Sequence, residues 1–151
     1  MTLNEQISHD LKEALRSGDK TRLETLRMLR AGMIDLTKRG TAKEITADDE
    51  LSVLTAAIKK RKEAIELYEK GGRTDLVAQE RRELEIITTY LPKQLSREET
   101  EQIIQRIIGE TGASSAKDFG KVMPLAMKEL KGKVDGKLVQ ELVKAKLGVQ
   151  P

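Results

Sequence analysis

The 151-residue chain predicts an all-α protein. Three observations carry that prediction. Apolar residues recur at spacings of three and four with no alternating stretch, and residues that start or stop helices bracket each periodic run. Charged residues make up 35% of the chain and aromatics only 2%, the balance expected of solvated helices around a modest core.

The first helix carries Leu3, Ile7, Leu11 and Leu15, and Gly18 stops it. Asp19 caps the second, which carries Leu23, Leu26, Leu29, Met33 and Leu36 and ends at Gly40. Gly32 inside that run costs about 1 kcal/mol relative to alanine, so close helix packing is expected there. Thr46 and Asp49 form a capping-box pattern with Asp in place of the preferred Glu. They open a long third helix with Leu51, Leu54, Ile58, Ile65 and Tyr68, interrupted on that face by Arg61 and ended by Gly71-Gly72. Thr74 is positioned to cap a fourth helix with Val77, Leu84, Ile87 and Leu91, stopped by Pro92. Such spacing over several turns predicts long antiparallel hairpins.

Ser96-Arg97-Glu98-Glu99 then starts a fifth helix containing Ile103, Ile104, Ile107 and Ile108. Residues 112–116 read as a loop. Asp118 is placed to cap a sixth helix with Val122, Leu125, Ala126 and Leu130, in which Pro124 denies one backbone bond to residue 120 and should kink the helix or delay its start. Lys131 to Gly136 forms a tight connection, and Asp135 caps a last helix with Leu138, Val139, Leu142, Val143 and Leu147. The expected organisation is an N-terminal domain of about four longer helices, residues 1–92, followed by a small three-helix domain, residues 93–151.

Composition excludes several classes of chemistry. The chain has no cysteine, so disulfides and thiolate chemistry are absent and a reducing compartment is the simplest reading. A single histidine, His9, leaves no cluster for zinc. No apolar run is long enough to span a membrane. The start, Met1-Thr2-Leu3-Asn4-Glu5, is acidic and precedes no apolar block, so no signal peptide is expected and the cytoplasm is the expected location. Residues 1–92 hold 17 basic and 17 acidic side chains, whereas residues 93–151 hold 11 and 8, so the whole net charge of +3 lies in the last third.

Tyr90-Leu91-Pro92-Lys93-Gln94-Leu95-Ser96, Asp118-Phe119-Gly120-Lys121-Val122-Met123 and Lys131-Gly132-Lys133-Val134-Asp135-Gly136-Lys137-Leu138-Val139 carry a resemblance. With Leu26-Arg27-Met28-Leu29 and Thr74-Asp75-Leu76, they resemble the YqeY family of small stand-alone bacterial proteins, over essentially the whole chain. The C-terminal part is similar to the tail domain of the GatB subunit of glutamine-dependent tRNA amidotransferase. That tail is a helical module which contacts the tRNA elbow and presents no catalytic residue. Phe119 stands where the family usually has methionine, and Pro124 where glycine is more usual. The resemblance implies an all-helical two-part fold with a tRNA-linked tail. Any carbon–nitrogen ligase activity with glutamine as amido donor would be a label inherited from that tail.

The leading binding candidates are Lys121, Lys128, Lys131, Gly132, Lys133, Gly136, Lys137 and Lys144. Between residues 121 and 146 seven lysines face Glu129, Asp135 and Glu141, a local excess of +4. Gly132 lets backbone approach a phosphate, and Lys137 sits in the first turn of a helix whose dipole favours anions. Set against this, lysines also solubilise small helical domains, and Asp135 occupies the cap that a phosphate would need. Lys59-Lys60-Arg61-Lys62 points around the whole helix and reads as solvated surface. Arg27 and Arg30 form a narrow basic strip, or pair with Glu24 or with a neighbouring helix.

Tyr68, Tyr90 and Phe119 form no stacking array, so any RNA would be read by shape and phosphate, which suits structured tRNA. His9, Ser114-Ser115 and the acidic pairs supply no recognisable catalytic set, and no cofactor or metal is expected. The expectation is a non-catalytic accessory or adapter that binds structured RNA, most plausibly tRNA, through its C-terminal module. The rivals are a protein–protein interaction module using the N-terminal helices, and an auxiliary subunit of an amidotransferase.

Overall fold

The computed structural model describes residues 1–38 and 44–148. Among them lie seven α-helices: α1 Leu3–Ser17, α2 Lys20–Thr37, α3 Ala47–Lys70, α4 Thr74–Thr88, α5 Arg97–Thr111, α6 Phe119–Leu130 and α7 Gly136–Leu147, with a short 3-10 turn at Ala116–Asp118. One isolated bridge joins Lys131 to Val134, and no strand forms among the described residues. The all-α expectation holds. The helix end expected at Gly40 lies outside the described residues. The chain divides into two compact units, Met1–Leu91 and Pro92–Pro151.

In the first unit α1 packs on α2 and α3 on α4, and α2 also touches both α3 and α4. Ile7, Ala14, Leu26, Leu29, Met33, Leu36, Leu54, Ile58 and Ile87 form the core. Thr2 and Thr46 cap α1 and α3 through complete capping boxes, and Asp19 Oδ1 accepts from Arg22 N–H at 3.1 Å to cap α2. Gly18 adopts φ +76° and ends α1. The close packing expected at Gly32 is present: a methyl group there would lie 2.7 Å from Val53 Cγ1.

Several local expectations are corrected. Leu15 is 59% exposed, and Ala14 is buried in its place. Steps of four residues advance about 40° around a helix, so three steps from Leu3 rotate the stripe by roughly 120°, off the core. Thr74 does not cap α4: Arg73 holds the N-cap position with no side-chain cap and instead pairs with Asp75. The basic run is not wholly solvated either. Lys59, Lys60 and Lys62 are exposed, but Arg61 is only 8% exposed. Its Nη1 donates to the Ala57 carbonyl at 3.2 Å and its Nη2 to Met28 Sδ at 3.1 Å, while Nε faces Glu83 Oε2 at 3.3 Å.

A second polar link joins the hairpins. Tyr90 donates through its hydroxyl to Asp10 Oδ2 at 2.5 Å, and Arg22 lies 3.8 Å from the same oxygen. Partial burial and this carboxylate push the Tyr90 phenol well above its ordinary range, so it stays protonated and donating.

In the second unit three helix faces meet. Ile104, Ile107 and Ile108 of α5, Val122, Ala126 and Leu130 of α6, and Val139, Leu142, Val143 and Leu147 of α7 form one core. Ser96 accepts from Glu99 N–H at 3.1 Å to start α5, and Gly112 at φ +70° ends it. Asp118 does not cap α6 directly; its Oδ2 accepts from Ser114 N–H at 2.9 Å and Ser115 N–H at 3.4 Å, closing the turn before the helix. Those amides, Ser114 first, hold its carboxyl below the usual carboxylate range. Pro124 does not delay the start of α6, which runs through it from Phe119; the proline removes only the bond to the Gly120 carbonyl, on an exposed stretch of the helix.

Candidate nucleic-acid interface

The candidate lysines sit on α6, on α7 and on the turn between them. On α6 the buried positions are Val122, Ala126 and Leu130, spaced by four. Lys121 and Lys128 are seven apart on the opposite face, and both are exposed. On α7 burial of Val139, Leu142, Val143 and Leu147 leaves Lys137 exposed and Lys144 half-buried, again seven apart. Seven residues are close to two turns, so each pair shares one face of its helix. Lys144 Nζ stands 5.9 Å from the centre of the Phe119 ring, within cation–π range. Phe119 is itself half-buried against the core of this unit.

The turn between these helices is held more tightly than its sequence suggests. Gly132 is buried and adopts φ +77°, a conformation that side chains resist. Its carbonyl accepts from Gln94 Nε2 at 2.7 Å, and Leu95 N–H donates to the Lys133 carbonyl at 3.0 Å. Lys133 and Val134 N–H both return to the Leu130 carbonyl, at 2.9 and 3.2 Å. Gly132 therefore shapes the turn with its backbone turned inward, Lys133 projects to solvent, and Lys131 is half-buried. Gly136 opens α7 at half burial, where Asp135 Oδ1 accepts from Lys137 N–H at 3.0 Å.

The opposing carboxylates are largely engaged. Glu129 pairs with Arg106, whose other arm binds Glu110 at 3.1 Å, and Asp135 is the α7 cap. Glu141 is exposed. The role of Gln94 and Leu95 as props of the basic turn had one signal in the sequence, their place in the Tyr90 to Ser96 motif. Nothing there showed which backbone they would bond. Of the basic strip on α2, Arg27 and Arg30 are exposed, and among the described residues neither pairs with Glu24.

His9, Asp10 and Glu13 do come together, with one ligand atom each within 4.8 Å of the others. Asp10, however, is already bound by Tyr90 and faces Arg22, and His9 pairs with Glu13 at 3.5 Å on open surface. Ser114 and Ser115 offer their amides to Asp118, with no histidine beside them.

Among the described residues, no helix is long and apolar enough to cross a membrane. The chain is 36% identical over 151 residues to a Pyrenophora tritici-repentis protein named altered inheritance of mitochondria protein 41, mitochondrial, covering 93% of this chain and 81% of that one. It is 29% identical over 142 residues to a subunit of the glutamyl-tRNA(Gln) amidotransferase of Methanobrevibacter smithii, a match that covers 91% of this chain but only 19% of that larger protein. The likeness to an amidotransferase component thus runs through both units and is not confined to the C-terminal one. An uncharacterised protein of Schizosaccharomyces pombe is 33% identical over 91 residues, covering 60% of this chain and 72% of its own. The family model described as Yqey-like protein matches residues 4–147, and the chain belongs to the YqeY family.

Proposed function

We propose that this protein is a non-catalytic accessory or adapter that binds structured RNA, tRNA foremost, through its C-terminal unit. The observation that carries the reading is the braced turn at residues 131–133. Gln94 and Leu95 hold its backbone in one conformation, so the Cα positions of Lys133 and the neighbouring Lys137 are fixed before binding and only their side chains remain to be ordered. Lys121, Lys128 and Lys144 extend the charge along α6 and α7, while Glu129 is paired with Arg106 and Asp135 caps α7 through the Lys137 amide. The likeness of this chain to part of an amidotransferase component whose name includes glutamyl-tRNA(Gln) supports tRNA over other structured RNAs. The scarcity of aromatics argues against single-strand stacking.

Lys133→Glu with Lys137→Glu tests the face. Both side chains are exposed, so circular dichroism should be unchanged, while tRNA affinity falls by roughly tenfold or more and the salt slope becomes shallower by about two. Unaltered affinity in this variant would remove the assigned surface.

A second reading follows from the match to a fifth of a larger amidotransferase component: the protein lends tRNA affinity to a catalytic partner supplied in trans. Glutamine-dependent transamidation measured with and without added protein tests it, and an unchanged rate at every tRNA concentration would end it. The absence of cysteine suits a reducing compartment, which the cytoplasm provides. The mitochondrial name of one relative marks the organelle as the alternative location.

A further inference from the structure

We propose that the outward ridge of α2 is a second phosphate-binding surface, which engages the sugar–phosphate backbone of the same structured RNA. The proposal rests on the RNA reading above but is carried by a different unit of the chain and by different observations.

The first observation concerns arginine partners. Ten arginines lie among the described residues, and seven of them hold a side-chain partner, from the surface pair Arg81–Glu69 at 2.7 Å to the buried Arg61–Glu83 pair. Arg16 sits in the last turn of α1, where a cation complements the helix dipole. Among the described residues, Arg27 and Arg30 have neither kind of partner. They stand in the middle of α2, exposed, three residues apart, although Glu24 lies one turn before Arg27. A chain that pairs most of its arginines leaves two neighbouring forks open to an outside acceptor. The guanidinium fork matches the geometry of phosphate oxygens.

The second observation is placement. At about 100° per residue, Lys20, Arg27 and Lys38 fall within roughly 20° of one another around the axis, with Arg30 about 60° to one side. This line is opposite the buried stripe of Leu26, Leu29, Met33 and Leu36. Lys20, Arg27, Arg30 and Lys38 are all exposed, and within α2 Glu24 and Asp35 oppose them on the outer surface, with Asp19 at the cap. Lys20 also occupies the first turn of α2, where the helix dipole disfavours a cation, so helix stability does not account for it.

The ridge is suited to phosphate and poorly suited to an acidic protein partner. Protein interfaces are organised around a buried apolar or aromatic centre. Here Ile34, 43% exposed, is the large apolar side chain on the ridge, and no aromatic accompanies it. A line of cations about five turns long without such a centre follows a charged backbone.

The test uses the full chain, with bulk tRNA and an RNA duplex as probes, titrated across a salt series. Wild type is compared with Arg27→Gln/Arg30→Gln and with Lys133→Gln/Lys137→Gln, and poly-glutamate serves as a competitor. The expected result is that the α2 variant, with unchanged circular dichroism, loses roughly tenfold in tRNA affinity and about two units of salt slope while retaining residual binding. If wild type binds and the α2 variant matches it in affinity and slope, the ridge is overturned and the RNA reading stands. If the α2 variant weakens while the lysine variant does not, the ridge is supported and the C-terminal face is overturned. No binding by wild type at low salt overturns both. Capture of poly-glutamate with the same dependence on Arg27 and Arg30 would overturn the phosphate assignment in favour of an acidic protein.

Discussion

Gln94 reaches 38 residues along the chain to donate its side-chain amide to the Gly132 carbonyl at 2.7 Å. That bond, with the Leu95 to Lys133 backbone bond beside it, turns a glycine-containing loop into a fixed platform for charge. Replacing Gln94 with alanine should leave the three-helix core intact while loosening the turn. Hydrogen exchange at the Lys133 and Val134 amides should quicken, with tRNA affinity falling less than in the charge-reversal variant.

Gly132 is expected to tolerate no side chain well. Its φ of +77° costs an ordinary residue roughly 1–2 kcal/mol, so Gly132→Ala should destabilise the protein by about that amount in denaturant titration. Gly120→Ala, on open surface with no positive φ, is the control and should be neutral or slightly stabilising.

Gly32 is required by space and not by dihedral angle. A Cβ would meet Val53 Cγ1 at 2.7 Å, and a valine on a helix has little freedom to rotate away. Gly32→Ala should therefore destabilise by about 1 kcal/mol or more despite alanine's better helix propensity. Adding Val53→Ala removes the clash, so the double variant should recover much of that loss; strict additivity would contradict the packing explanation.

The buried Arg61 gives the largest expected effect. Glu83→Ala removes the paired carboxylate of the buried guanidinium, leaving only the longer-range charge of Glu80, and should cost on the order of 3 kcal/mol. Arg61→Met should cost less, because it removes the charge as well as the partner. Glu80, one turn before Glu83, behaves oppositely: burial first, then the Glu83 charge, raises its carboxyl above the ordinary value. A raised carboxyl means that the ionised form is penalised in the fold. Glu80→Gln should accordingly be neutral to mildly stabilising at pH 7, with the difference shrinking as pH falls through the folded value.

Asp118 sets a pH dependence of the reverse sign. Its carboxyl is lowered, chiefly by the Ser114 amide, so its contribution is present above the ordinary carboxylate value and is lost as pH falls through the lower folded one. Exchange at the Ser114 and Ser115 amides should rise in that acid window. Asp118→Asn should flatten the response.

Much of this architecture was legible in residue spacing. Each helix announced itself by period, and the N-caps of α2, α3, α5 and α7 stood where their sequence neighbours required them, whereas the Thr2 cap of α1 was not read. The misses share a cause. Leu15, Thr74 and Asp118 were assigned from local pattern, but rotation of the stripe, the Arg73–Asp75 pair and the serine turn decided them. Arg61 was unreadable as a buried charge because its partner Glu83 lies on the next helix, and spacing within one helix cannot show what faces it. The site was legible as charge but not as geometry: the lysines could be counted, whereas the bond from Gln94 to Gly132 exists only in the folded unit.

RNA recognition itself is decided by the binding of bulk tRNA to the full chain across a salt series, beside an RNA duplex and a single strand. On the proposed reading, the full chain should prefer tRNA over both controls. Its log K should fall linearly with log salt, with a slope corresponding to about three to five phosphate contacts. Equal, weak binding to all three RNAs, or none at low salt, would contradict the assignment.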